Sequence, residues 1–132
     1  MLLDTSGLLC VHHRSEMQHG DAQTLFRAAP LRLTHSYVLA EFIALAQVRR
    51  LDRGAALAFV SELQDNPLIQ VIWVDELLHR AAIELLHRQL DKTYSLCDAI
   101  SFLIMHERGL VEALTTDRHF EQAGFRRLLA GA

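Results

Sequence analysis

Residues 69–90 read IQVIWVDELLHRAAIELLHRQL. The first six, Ile69–Val74, are mostly β-branched or aromatic and spell a strand. The Asn66-Pro67 pair just before them is a turn signal. Asp75 then caps a helix of about Glu76–Leu90. A strand followed directly by a helix is the repeating unit of an α/β domain.

The same alternation runs outward in both directions. Toward the N-terminus, Asp52 starts a helix to about Asp65, and Ser36 caps one to about Arg50. Leu31–Thr34 is a short strand, Pro30 breaks a helical Asp21–Ala29, and Met1–Leu3 is the first strand. Toward the C-terminus, Ser95 opens a helix to about Glu107, stopped by Gly109. Glu112–Thr115 is a strand, His119–Ala123 a helical turn, and Phe125–Leu128 a last strand. The pattern predicts an α/β domain with a mostly parallel sheet covered on both faces. No internal repeat, low-complexity stretch or linker divides the 132 residues, so residues 1–132 read as a single domain.

Composition narrows the chemistry. About half of the chain is apolar, enough for a real core. Cys10 and Cys97 lie far apart in no paired motif, which excludes a disulfide framework and a cysteine-type zinc site. The chain opens on MLLD, with no room for a secretory signal, and its apolar runs are too short to span a bilayer. A cytoplasmic protein is expected. Against 16 acidic residues stand 13 basic ones, twelve of them arginine. That balance is not the footprint of binding nucleic acid by charge alone, although arginine suits phosphate contact. The eight histidines form no H-E-x-x-H pattern. His35 and His119 stand near expected strand ends, within reach of a substrate there. No glycine-rich phosphate loop occurs, and Ser6 stands where a D-x-D phosphotransferase motif needs a second Asp.

Four acidic residues follow or interrupt strongly apolar runs: Asp4 in MLL-D, Glu41 in YVLA-E-FIAL, Asp98 in YSLC-D-AISFLIM and Asp117 in EALTT-D. A buried carboxylate is expensive unless paired. A divalent cation is the economical shared partner, because it prefers oxygen ligands. In parallel α/β sheets ligands gather at the carboxyl ends of strands. Asp4 and Asp117 fall at such ends. At about 100° per residue Glu41 lies between Leu45 and Val48, within the apolar stripe of its helix. Asp98 has two compatible readings. It stands three residues after Ser95 in a capping box, and it points inward on the face of Phe102 and Met105. Asp4 and Asp117 have cap readings too, as Asp75 does.

The local sequences D-T-S-G-L-L at Asp4, V-L-A-E at Glu41, S-L-C-D-A-I-S-F at Asp98 and T-T-D-R-H-F at Asp117 together resemble the PIN-domain family, and within it the VapC-type toxins of toxin–antitoxin pairs. The resemblance spans essentially the whole chain, in order. It implies a three-layer α/β/α sandwich around a central, mostly parallel sheet of about five strands. It also implies a metal-dependent ribonuclease whose catalytic and metal-binding residues are Asp4, Glu41, Asp98 and Asp117. Thr116 matches the hydroxyl residue that precedes the last Asp. Cys97 departs from the small residues common at its position, without touching the acidic pattern.

That chemistry suits the residues. One or two divalent ions can activate water and stabilise charge on the leaving oxygen of a phosphodiester. Mg²⁺ or Mn²⁺ is the expected ion, and RNA the expected substrate. The other reading is a PIN-like module that binds RNA or protein without cutting. The resemblance further implies a cognate antitoxin and a homodimer. The helices around Ser36–Arg50 and Arg53–Asp65 offer Leu39, Ile43, Leu57 and Phe59 as a docking groove.

Overall fold

The computed structural model describes residues 1–130. Among them are five strands and seven α-helices in the order β1 (Leu2–Leu3), α1 (Thr5–His12), α2 (His19–Ala28), β2 (Arg32–His35), α3 (Ser36–Val48), α4 (Arg53–Asp65), β3 (Ile69–Ile72), α5 (Glu76–Arg88), α6 (Leu96–Arg108), β4 (Glu112–Leu114), α7 (His119–Gln122) and β5 (Arg126–Arg127). The strands form one sheet in the order β3-β2-β1-β4-β5, and every pairing is parallel. No helix among the described residues is long and apolar enough to cross a membrane.

Side chains alternate across a strand, and here the alternation builds two cores. Leu3 and Leu114 face the apolar residues of α1, α2, α3 and α4. Leu2, Leu33 and Ala113 face those of α5, α6 and α7. Both faces are therefore covered by helices, as the strand–helix alternation predicted. The expected helices recur with shifts of a residue or two at their ends, and α4 matches its expected span.

Helix α1 was not expected. Its residues Thr5, Gly7, Leu8, Leu9, Cys10 and Val11 are all buried. A helix buried all round carries no amphipathic period to read. A Cβ on Gly7 would lie 1.9 Å from the Leu114 carbonyl oxygen. Only glycine lets α1 press this close against the end of β4. A second correction concerns the start of α3. His35, not Ser36, is its cap, its ring accepting the Val38 N–H at 3.3 Å. Ser36 Oγ instead accepts the Val74 N–H and ties α3 to the end of β3.

The sheet order reverses direction between β1 and β4. The chain moves from β1 to β2 and β3 on one side, then returns to β4 and β5 on the other. Such a switch point leaves a crevice at the carboxyl ends of the two central strands. Asp4 follows β1 there, and Asp117 follows β4.

Candidate functional site

Asp4, Glu41, Asp98 and Asp117 line one concavity at that crevice, together with Thr5, Ser6, Leu45, Ser95 and His119. Four segments distant in sequence thus meet: the β1–α1 junction, the middle of α3, the start of α6 and the β4–α7 loop.

Asp4 is 4% exposed and occupies the cap position of α1, yet its side chain makes no cap bond. One oxygen, Oδ2, instead accepts the Thr115 hydroxyl at 2.7 Å and lies 3.4 Å from Ser6 Oγ. Ser6 Oγ lies 3.1 Å from Thr115 Oγ1 and accepts the Thr116 N–H at 3.0 Å. Thr115 Oγ1 also accepts the Asp117 N–H at 3.0 Å. The close seating of Gly7 on β4 is what brings Ser6 over Thr115. The hydroxyl that holds a carboxylate is therefore Thr115, on the buried side of the loop, and not Thr116.

Asp98 forms the reciprocal capping box with Ser95 anticipated from its spacing: its N–H reaches Ser95 Oγ at 2.9 Å, and its Oδ2 accepts the Ser95 N–H at 3.0 Å. The same Oδ2 also lies 2.9 Å from His119 Nδ1. No hydrogen bond among the described residues reaches its Oδ1. Asp117 Oδ1 accepts the His119 N–H at 2.9 Å. Glu41 departs from the expectation of an inward-pointing residue. It is exposed, as is Val48, the next residue on that stripe. The stripe edge of α3 borders the open crevice, so Glu41 stands on its rim.

Burial pushes the Asp4 carboxyl up to about 7. The Thr115 hydroxyl opposes this, while the negative charges of Asp98 and Glu41 add to it. Burial likewise raises Asp98, against the Ser95 N–H and the His119 ring, with Asp117 adding to the rise. The neighbouring Cys97 thiol is pushed up by burial and then by Glu41, Asp4 and Asp98. Four carboxylates thus share one field with little positive charge to balance it. The Thr5 hydroxyl, which lines the crevice, is buried, and among the described residues its one polar neighbour is the Cys97 thiol. A donor set dominated by carboxylate oxygens, with excess negative charge, fits a hard divalent cation.

Sequence reasoning missed Ser6 and Thr115 and gave His119 only a loose part. His119 stands with Asp98 and Asp117 in a group whose ligating atoms lie within 4.8 Å of one another. His35, the other histidine expected near substrate, is fully buried and bonded to Ser101. Of the residues expected in a docking groove, Leu39 is core and Phe59 packs on Phe42 and His12. Ile43 and Leu57 do line a shallow groove between α3 and α4.

The family model for the PIN domain matches residues 1–126. The chain is 31% identical over 126 residues to the 23S rRNA-specific endonuclease VapC20 from two strains of Mycobacterium tuberculosis, with 95% of each protein covered. The crystal structure of Mycobacterium tuberculosis VapC20, described as a sarcin–ricin loop cleaving toxin, superposes with a TM-score of 0.86 at 30% identity, covering 95% of each chain.

Proposed function

The chain belongs to the PIN-domain family, and from that premise we propose that it is a metal-dependent endoribonuclease acting as the toxin of a toxin–antitoxin pair. The observation that supports this best is the convergence of Asp4, Glu41, Asp98 and Asp117 on one crevice at the sheet's switch point. Asp4 and Asp98 would hold the cation directly, and Glu41 and Asp117 would complete its surroundings. Asp98 is suited to this, since its Oδ2 is held by the protein and its Oδ1 carries no such bond. A bound Mg²⁺ or Mn²⁺ would offset charge on the phosphate and make water a better nucleophile. The protein supplies carboxylates to accept the proton that water releases, and a rigid frame of hydroxyl bonds that holds Asp4 in place. No side-chain nucleophile is required.

The activities named for its relatives direct the first assay of this chain to 23S rRNA. As a toxin it would work in the cytoplasm as one PIN domain, pair as a homodimer, and be held inactive by an antitoxin. The groove at Ile43 and Leu57 is our candidate for the antitoxin's seat. The test incubates purified protein with 23S rRNA and Mn²⁺, with and without EDTA, alongside Asp4→Asn. Cleavage that needs both the metal and Asp4 supports the proposal. RNA that the wild type binds but leaves intact in Mn²⁺ overturns it in favour of a binding module.

A further inference from the structure

His119 begins a helix of four residues, two positions after Asp117, and Phe120 beside it is fully buried. The start of α7 is thereby pinned to the core while the His119 side chain stays partly open to the crevice. The backbone N–H of His119 donates to Asp117 Oδ1 at 2.9 Å, and its ring Nδ1 lies 2.9 Å from Asp98 Oδ2 and 3.5 Å from Asp117 Oδ1. The far nitrogen, Nε2, lies 3.0 Å from Thr93 Oγ1. The ring meets Tyr94 edge-on at a centroid distance of 5.3 Å. One residue thus touches both the loop that carries Asp117 and the segment Thr93–Ser95 that leads into Asp98.

We propose that His119 is a positioning residue that fixes Asp98 against Asp117 and turns the Asp98 Oδ1 toward the bound cation. The inference rests on the metal-site reading above. Two features separate this role from that of a ligand. Nδ1 must carry a proton to bond the Asp98 carboxylate, so it has no lone pair to offer a metal. Nε2 is turned to Thr93 on the outer side. With Ser95 N–H and Nδ1–H both on Oδ2, the Asp98 carboxylate is tethered through one oxygen and presents the other. A donor that touches both carboxylates also offsets the repulsion of two like charges drawn together. Partners that orient metal ligands in this way commonly change metal affinity about 10- to 100-fold when removed.

The two ring nitrogens can be probed separately. Asn places an amide N–H near the position of Nδ1, and Gln places one near Nε2. Mn²⁺ binding is measured by calorimetry on the wild type and on His119→Ala, His119→Asn and His119→Gln, with the melting temperature of each metal-free protein. The expected result is an affinity loss of about 10- to 100-fold for Ala and Gln. Asn should stay within about threefold of wild type because it keeps the donor to Asp98. Wild type that binds Mn²⁺ while His119→Ala binds it equally well overturns this inference alone. Rescue by Gln and not by Asn also overturns it, since the operative nitrogen would then be Nε2. Wild type that binds no Mn²⁺ overturns the metal site and this role together.

Discussion

Asp4 and His35 stand at the carboxyl ends of neighbouring parallel strands, both buried, both ionisable, and both shifted toward their neutral forms by burial. Asp4 is raised to about 7 and His35 lowered to about 3. What differs is how each neutral form is satisfied. His35 Nδ1 accepts the Val38 N–H, so the proton sits on Nε2 and donates to Ser101 Oγ at 2.8 Å. Both ring nitrogens are paired, and the residue staples β2 and α3 to α6. Asp4 is held through one oxygen, faces a crevice, and shares it with further carboxylates. A buried titratable group at a strand end is therefore not in itself a site. The signature of a site is a charge demand that the protein's own groups leave unmet.

The sharpest way to break this contrast is to neutralise each residue. Asp4→Asn keeps the shape and can still accept the Thr115 hydroxyl. RNA cleavage should fall by about 10²–10³-fold, in the range for deleting one group that stabilises a transition state, while the metal-free protein melts no lower than wild type. His35→Ala should do the reverse. It opens a cavity and strands the Val38 N–H and Ser101, costing about 2–4 kcal/mol in denaturant unfolding, with cleavage per folded molecule unchanged. If Asp4→Asn melts as low as His35→Ala, the two residues are doing the same structural job and the distinction fails.

Acidity reads the two residues with opposite signs. Asp4 has a folded value near 7 against 3.8 in its reference form, so its contribution is present at low pH and lost as pH rises through 7. His35, with a folded value near 3 against 6.5, contributes above pH 6.5 and loses that contribution as pH falls through 3. Each slope is about 1.4 kcal/mol per pH unit at most, and between about pH 4 and 6.5 they oppose one another. In EDTA, urea unfolding of Asp4→Asn should therefore gain on wild type as pH rises from 4 to 7. The deficit of His35→Ala should shrink as pH falls over the same range. Parallel curves for all three proteins would show that neither group titrates as its burial implies.

The layered fold and the four carboxylates were legible because each leaves a local mark. β-Branched runs, caps and turn residues mark the elements, and an acid beside an apolar run is conspicuous. Helix α1 was not legible, since a helix packed on every side looks like any apolar run. The exposure of Glu41 was hidden because a helical wheel locates the apolar stripe but not the crevice that opens along its edge. Ser6, Thr115 and His119 lie within the quoted motifs, yet their roles depend on contacts across the sheet. Thr115 meets Asp4 over a separation of 111 residues. Thr115 rather than the motif-matching Thr116 meets Asp4 because alternate residues point opposite ways at a strand end, and only the register of β1 on β4 decides which hydroxyl faces it.

The smallest and most discriminating effects should come from the partners. Ser101→Ala removes the acceptor of His35 Nε2–H, and Thr115→Val removes the donor to Asp4 Oδ2 while keeping its volume. Losing its one buried hydrogen bond should destabilise Ser101→Ala by about 1 kcal/mol in metal-free denaturant unfolding, and Thr115→Val, whose hydroxyl bonds Asp4, Ser6 and the Asp117 N–H, should lose more. Their activities should then part. Ser101→Ala leaves the crevice untouched and should cleave RNA at the wild-type rate. Thr115→Val frees the Asp4 carboxylate to rotate and also loses the acceptor for the Asp117 N–H. Its cleavage rate should fall by about 10-fold or more, the lower end for groups that orient metal ligands. Equal activities would mean that Asp4 is held by burial alone. The hydroxyl frame formed by Ser6 and Thr115 would then contribute to folding and nothing to the geometry of the site.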